Sequence, residues 1–193
     1  MEITLEWSGP YYFSSRSGQS ILQAASAQGP GIYCWLVATE RGILPHYVGE
    51  TGKSVARRHV EHFRDYASGV YSVYDSGPFA AGDISVLFQG PLWRKDGWRD
   101  HQAFIDDFEV YARHLSLVLA SIQLFVAPLD ADQRVRRRVE ASLARAIYAL
   151  PAPLLTLFPP GLRMWTRRPD EPVLTVVNTG QFPLPQVPAQ LEA

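Results

Sequence analysis

The sequence is poor in cysteine, in lysine and in long apolar runs. Its only cysteine is Cys34, so no internal disulfide can form, and no His and Cys residues show the spacing of a zinc site. No segment approaches the ~18 uninterrupted apolar residues that a membrane helix needs. The acidic start of the chain also lacks the basic and apolar regions of a secretory signal. These absences predict a cytoplasmic protein with no membrane partner.

A large net charge is also lacking. The 193 residues carry a formal net charge of −1, which argues against a polycation that coats nucleic acid through its overall charge. Two of the 18 basic residues are lysines, Lys53 and Lys95, and the others are arginines. Any contact with nucleic acid must therefore be local.

The apolar residues that are present, 47% of the chain, are enough for one folded domain. Their spacing predicts strands over 3–7, 32–38, 46–49, 83–89, 122–126 and 173–177. Helical patterns run from 52–54 to 66, from 101 to 119 and, capped by Asp130 or Asp132, to just before Pro151. The sequence thus predicts an α+β protein.

The domain organisation follows from these patterns. We expect a lead-in strand and loop over 1–28, a single domain over 29–180 with an insertion at about 67–118, and a proline-rich tail over 181–193. Strands 32–38 and 46–49 are joined by a short loop, which favours an antiparallel pair. The predicted core is a small antiparallel sheet flanked by helices.

One motif in this region suggests nucleotide hydrolysis. The run from Gly49 to Ser54 reads Gly-Glu-Thr-Gly-Lys-Ser between a strand and a helix. A phosphate-binding loop needs a further glycine five residues before the Gly-Lys-Ser glycine. That position is Tyr47, and we set the nucleotidase interpretation aside.

A second set of residues in the same region fits better. Gly31-Ile-Tyr33 and Tyr47-Val-Gly49 lie in neighbouring predicted strands, and the following helix carries Arg58 and His62. Together with Glu140 on a later helix, this ordered set closely resembles the signature of the GIY-YIG nuclease superfamily. The resemblance implies a GIY-YIG-like fold and an endonuclease that hydrolyses phosphodiester bonds in DNA, with RNA a less favoured substrate.

The resemblance also implies a role for each residue. Glu140 would hold Mg²⁺ or Mn²⁺, since Mg²⁺ commonly uses only one or two protein carboxylates. Arg58 would stabilise the charge that develops on the phosphate. Tyr33 would position or deprotonate the attacking water, with Tyr47 beside it. A free phenol has a pKa near 10 and His62 an ordinary pKa near 6.5, so Tyr33 and His62 both stay open as the general base.

Helical spacing favours Arg58 over Arg57 for this role. Arg58 and His62 are four residues apart and share a helix face, whereas Arg57 pairs in the same way with Glu61. We expect Arg57 and Glu61 to form an exposed ion pair. His59 would lie at the rim of the site.

The remaining candidates are supporting residues. Asn178 would correspond to an asparagine that the family has after its glutamate helix. Candidate nucleic-acid contacts are Lys53, Arg134, Arg137 and Arg138, although a solvated helix face is the favoured interpretation of the arginines. The plainer alternatives are that Tyr33 and Tyr47 are core aromatics and that Glu140 is a solvated helix residue paired with Arg136. The alternative to an enzyme is a non-catalytic module that binds nucleic acid or protein on the same scaffold.

Overall fold

The computed structural model describes residues 1–91, 101–162 and 164–193. The described residues form a six-stranded mixed sheet curled into a half-barrel, a two-stranded sheet and five α-helices. This confirms the α+β class. The strands are β1 (Glu2–Tyr11), β2 (Gly31–Thr39), β3 (Gly42–Thr51), β4 (Val73–Tyr74), β5 (Val86–Phe88), β6 (Ile122–Pro128), β7 (Thr175–Gly180) and β8 (Gln190–Glu192). The helices are α1 (Val55–Ala67), α2 (Ser76–Ala80), α3 (His101–Asp106), α4 (Phe108–Ser121) and α5 (Gln133–Tyr148).

The main sheet has the strand order β3-β2-β6-β1-β7-β8. Its pairs are antiparallel except for β1 and β7, which run parallel from Glu2 opposite Thr175 to Trp7 opposite Gly180. The prediction of a small antiparallel sheet is therefore wrong in size and in strand direction. The sheet is larger because the expected lead-in supplies β1, the expected tail supplies β8, and β7, from the end of the expected domain, pairs with both.

Strand β2 lies inside the sheet and is buried on both faces. Its side chains alternate between the faces, as the pleat requires. We call one side the aliphatic face, where β2 packs against α5, and the other the aromatic face, where it packs against α1. On the aliphatic face lie Ile32, Cys34, Leu36, Val139, Leu143 and Ile147. On the aromatic face lie Tyr33, Trp35, Val37, Val55, Ala56 and Tyr66.

The two helices that flank β2 have side-chain caps at their N-termini. The Ser54 hydroxyl accepts a hydrogen bond from the Arg57 backbone N–H at 2.9 Å, and α1 starts at the next residue. Asp132, the second of the two predicted caps, accepts from the Val135 N–H at 2.8 Å and starts α5. Each cap satisfies a backbone donor that has no partner within its helix.

The segment over 67–118 lies between α1 and β6. It contains β4, α2, β5, α3 and the greater part of α4, and its residues 92–100 lie outside the described residues. The predicted helix from 101 to 119 is two helices that meet at Asp107. The segment adds an aromatic cluster of Phe88, Phe104 and Tyr111 beside α4.

Helix length and hydropathy bear on the membrane question. Across the described ranges, no helix combines the length and the apolar character that crossing a bilayer requires. The longest, α5, has 16 residues and five arginines.

Candidate functional site

The β2–β3 hairpin places Tyr33 beside Tyr47. Tyr33 is opposite Gly49 in the strand register, and the ring centres of the two tyrosines are 6.1 Å apart. A Cβ atom on Gly49 would lie 2.5 Å from the Tyr33 hydroxyl, so the phenol needs glycine at this position. A Cβ on Gly31 would lie 2.6 Å from the Ala127 carbonyl oxygen on β6. Both glycines of the signature thus permit close approach.

Helix α1 brings His62 and Arg58 onto these tyrosines. The Tyr33 hydroxyl lies 2.9 Å from His62 Nε2, and the Tyr71 hydroxyl lies 3.0 Å from His62 Nδ1. The Arg58 guanidinium donates to Glu61 Oε2 at 3.0 Å and is close enough to Tyr33 to interact with its hydroxyl. The predicted shared face of Arg58 and His62 therefore points at Tyr33.

The Tyr33 phenol and the His62 imidazole are both neutral near pH 7. Burial, and then Tyr47, raise the pKa of Tyr33 well above its ordinary value. Burial, followed by the charge of Arg58 and by His59, lowers the pKa of His62 to about 2. A neutral imidazole has one N–H and one acceptor nitrogen. His62 therefore donates to one of Tyr33 and Tyr71 and accepts from the other.

Arg58 remains charged although it is half-buried. Burial alone would lower the pKa of its guanidinium, but Tyr33 and then Glu61 raise it overall. Glu61 also accepts from Lys53 Nζ at 2.9 Å and lies 3.9 Å from Arg57. The expected Arg57–Glu61 pair is present and Arg57 is 72% exposed, but Glu61 binds Arg58 more closely. Glu61 thus holds the Arg58 guanidinium in place beside Tyr33.

Glu140 on α5 reaches the same cluster past the edge strand β3. Its charge raises the pKa of both Tyr33 and Tyr47, so the carboxylate is within electrostatic reach of the two phenols. Burial, and then the negative charge of Glu50, raise the pKa of Glu140 to about 7. Within the described part of the chain, no basic side chain forms an ion pair with Glu140.

Glu50, the residue after Gly49, is itself paired. It accepts from Arg136 Nε at 2.9 Å and lies 3.5 Å from Arg137 Nε. Two carboxylates thus lie next to each other, and the two arginines are bound to only one of them. Such an arrangement attracts a cation to the unpaired Glu140.

The metal-ligand set is small. In the described ranges, no group of three or more His, Cys, Asp and Glu side chains is placed to hold a metal ion. Glu140 fits a Mg²⁺ site of the kind that uses one or two carboxylates and several waters. It is unsuited to a structural zinc site, which needs four protein ligands.

His59 has a different place from the one expected. It is buried on the aromatic face, where Trp35 Nε1 donates to its Nε2 at 2.9 Å and its Nδ1 donates to the Val55 carbonyl at 2.8 Å. Burial lowers the pKa of His59 to about 4. The ring is a neutral core group behind the cluster and does not line its rim.

Asn178 lies on β7, with β2, β6 and β1 between it and β3. Its Oδ1 accepts from Trp7 Nε1 at 2.9 Å, and its Nδ2 donates to the Ala189 carbonyl at 3.4 Å. The structure therefore does not bring Asn178 to the cluster.

The predicted nucleic-acid-binding residues divide into two groups. Arg134 donates to both oxygens of Glu171 at 2.6 and 2.7 Å, and the buried Arg138 donates to the carbonyls of Pro172 and Ala193, each at 2.6 Å. These two arginines hold the C-terminal segment against α5. Lys53 is more than half exposed, and Arg137, which stacks on Trp165 with 4.5 Å between its guanidinium carbon and the ring centre, is partly exposed.

Tyr71 and Glu50 are the residues of the site that the sequence analysis missed. Tyr71 comes from a segment rich in Gly, Ser and Tyr that resembles an ordinary loop. Glu50 had a usable signal, since it directly follows the Tyr47-Val-Gly49 motif on a strand whose edge faces the site. Comparisons with protein-family models, with curated proteins and with solved structures give no match to this chain.

Proposed function

We propose that this protein is a divalent-metal-dependent endonuclease of the GIY-YIG type that hydrolyses phosphodiester bonds in DNA. The observation that carries the proposal is the contact of Tyr33 with His62 and Tyr47, within electrostatic reach of both Arg58 and Glu140. These residues come from four elements, β2, β3, α1 and α5. A cluster that served only packing would not need a charged guanidinium and an unpaired carboxylate at its centre.

Glu140 is the residue that would bind Mg²⁺ or Mn²⁺. A bound divalent ion supplies Lewis-acid stabilisation of the phosphate and orients it for attack. The adjacent Glu50 contributes negative charge but is bound by Arg136 and Arg137. Glu140 thus provides the open position, and Glu50 increases its attraction for a cation.

Arg58 is the group that would bind the scissile phosphate. Its guanidinium has five N–H donors in a planar fork, of which Glu61 occupies one direction and Tyr33 another. The donors that are left are available to a phosphate and can stabilise the charge that grows in the transition state.

Tyr33 and His62 would form one path for the proton of the attacking water. In the tautomer in which His62 Nε2 is the acceptor, the Tyr33 hydroxyl passes its proton to Nε2 as it takes one from water. The positive charge of Arg58 opposes protonation of His62, and a bound phosphate would offset that charge. Tyr71 holds the other ring nitrogen and fixes the orientation of the imidazole.

The DNA backbone would lie along the exposed cations next to the cluster. Lys53 and Arg57 are at the start of α1, and Gly52 directly precedes them against the Arg136 guanidinium. With Arg137 they form a local basic rim on a chain of net charge −1. Binding through such a rim falls steeply with salt.

The proposal is tested with plasmid DNA and Mg²⁺. We expect wild-type protein to convert supercoiled plasmid to nicked or linear forms and EDTA to stop the reaction. Glu140→Gln should lower the rate at least a thousandfold and still bind DNA in a fluorescence anisotropy assay. Glu109→Gln on α4 is the matched control and should cleave like wild type.

The same experiment distinguishes an enzyme from a binding module. If pure wild-type protein binds DNA but does not cut it with Mg²⁺ or Mn²⁺, the module is the correct interpretation. If Glu140→Gln cuts as well as wild type, the metal assignment is wrong.

A further inference from the structure

A cleft of about 480 Å³ opens directly beside the proposed cleavage site. Tyr47, His62 and Tyr71 belong to both the cluster and the wall of this cleft. Its size lies within the range of roughly 300–1,000 Å³ that is typical of small-ligand pockets. A group attached to a phosphate at Arg58 would therefore have a place to bind next to it.

The walls of the cleft are largely aromatic. Trp35, Tyr66 and Tyr74 form one side, and the segment that contains Leu157 and Phe158 forms another. The Trp35 and Tyr66 rings are buried, and the partly exposed rings that line the cleft are those of Tyr47, Tyr71 and Tyr74. Flat rings of this kind bind other flat rings by stacking, which is the main contact between proteins and unpaired bases.

Two polar groups in the cleft lack a partner within the described chain. Tyr66 is only 5% exposed, yet its hydroxyl makes no hydrogen bond to another described residue. His46 donates through Nδ1 to the Leu157 carbonyl at 2.9 Å, which leaves Nε2 as an acceptor with no described partner. Both residues line the cleft. Neither atom is among the fully buried polar atoms without a partner, so both are open to the cleft and can hydrogen-bond the polar edge of a ligand.

The charges around the cleft suit a nucleic acid. None of the described residues that line it is acidic, so nothing in the wall repels a phosphate. Burial lowers the pKa of His46 to about 4, so its ring is neutral. The cationic group is Arg58, at the end that the cleft shares with the cluster.

We propose that this cleft binds an unpaired nucleobase of the substrate strand, adjacent to the phosphate that is cut. The proposal rests on the proposed endonuclease function and narrows its substrate to single-stranded DNA or to duplexes with an unpaired nucleotide at the cleavage site. The base stacks on the aromatic walls, and its polar edge binds Tyr66 and His46.

The first test measures base binding without cleavage. The probe is a 12-nucleotide thymine strand that carries one 2-aminopurine at each position in turn, titrated in EDTA. We expect the protein to quench the fluorescence strongly at one position. Tyr74→Ala should weaken binding of that strand about tenfold, because it removes one stacking wall. Tyr66→Phe should weaken binding about fivefold, because it removes one hydrogen bond.

The control variant is Phe63→Ala, which removes an exposed ring from the outer side of α1 and should bind like wild type. Thermal unfolding confirms that each variant is folded. Equal quenching at all positions, or quenching that survives in Tyr74→Ala, would overturn the proposal.

The second test uses cleavage with Mg²⁺. An abasic nucleotide at the quenched position should slow wild-type cleavage about tenfold and have no further effect in Tyr74→Ala. If DNA is cut but a fully paired duplex is cut as fast as the same duplex with one unpaired nucleotide, the base site is wrong and the endonuclease stands. If nothing is cut while the position-specific quenching persists, the endonuclease proposal fails and the base site is supported.

Discussion

The two faces of β2 use the same strand for opposite purposes. On the aliphatic face, Cys34 and its neighbours meet α5 residues in a core of apolar side chains. On the aromatic face, the alternate residues Tyr33 and Trp35 hydrogen-bond buried histidines of α1. One pleat thus separates a face that stabilises the fold from a face that carries polar chemistry.

The difference shows where this protein gives up stability. His59 and His62 are kept neutral by burial, so unfolding at low pH is favoured by the protons that they take up. Apolar side chains of similar size would avoid this cost. The aromatic face retains polar groups because the proposed reaction needs them, and the aliphatic face supplies the compensating stability.

After the loss of cleavage expected for Glu140→Gln, the largest expected effect is on catalysis and comes from the aromatic face. Arg58→Ala should lower the rate of plasmid cleavage about 10²- to 10³-fold, because it removes the donor that stabilises the transition-state charge. Arg64→Ala, on the same helix and largely exposed, is the matched control and should change the rate by less than about twofold. Single-turnover kinetics with Mg²⁺ measure both. Equal losses in the two variants would contradict the assignment of Arg58.

The next largest effect is on stability and comes from the aliphatic face. Leu143→Ala leaves a cavity in a fully buried site and should lower the free energy of unfolding by about 3 kcal/mol. Cleavage per folded molecule should stay unchanged, because Leu143 lies on the side of β2 away from Tyr33. Urea denaturation measures the free energy of unfolding, and cleavage at low temperature measures the activity of the folded molecules. A variant that folds but does not cut would show that the faces are coupled.

The burial of Glu140 makes the free energy of unfolding depend on pH. Its pKa is about 7 when folded and has an ordinary value of 4.5, so the folded state binds the extra proton between these values. The stability that Glu140 contributes is full below pH 4.5 and is lost as the pH rises through 7. At pH 8 in EDTA, Glu140→Gln should be more stable than wild type by about 2 kcal/mol, allowing for partial exposure of the carboxylate.

This gain should disappear at pH 5 and should narrow when Mg²⁺ is added to the wild type. Thermal unfolding at the two pH values measures it. Glu109→Gln is again the control, and a gain that is the same at pH 5 and pH 8 would show that burial of Glu140 is not its source.

The smallest expected effect concerns the hydrogen bond between Trp35 and His59. Trp35→Phe leaves His59 Nε2 without its donor, and His59→Leu leaves the Trp35 N–H without its acceptor. Each loss costs about 1–2 kcal/mol beyond packing. In a double-mutant cycle, the double variant should lose about 1 kcal/mol less unfolding free energy than the two single variants lose together. Strict additivity would mean that the buried polar pair carries no coupling.

Local patterns in the sequence predicted the elements that carry the site. The dense β-branched and aromatic run at 32–38 lies within β2, and Asp132, one of the two predicted N-caps, starts α5 as expected. Tyr33, Tyr47, Arg58, His62 and Glu140 were singled out by the resemblance to the family signature, which periodicity alone does not provide. The hairpin is tighter than expected, since Thr39 pairs directly with Gly42.

Three features of the structure could not be predicted because each depends on residues that are distant in the sequence. The parallel pairing of Glu2 with Thr175 has no local signature, because it joins segments more than 170 residues apart. The buried role of Arg138 depends on the path of the C-terminal chain. Tyr71 hydrogen-bonds His62 only because the segment after α1 folds back over that helix. The spacing of apolar residues does not predict such a return of the chain.

The parallel pair of β1 and β7 also sets an order for folding during synthesis. The β2–β3 hairpin joins neighbours in the chain and can form early, whereas one side of β1 waits until residues 175–180 have been made. Until then, an open backbone edge beside Leu5 and Trp7 is available to any other nascent chain. Slow translation or a C-terminal truncation should therefore produce aggregates that start at the N-terminal strand, even though every residue of the proposed site has already been made.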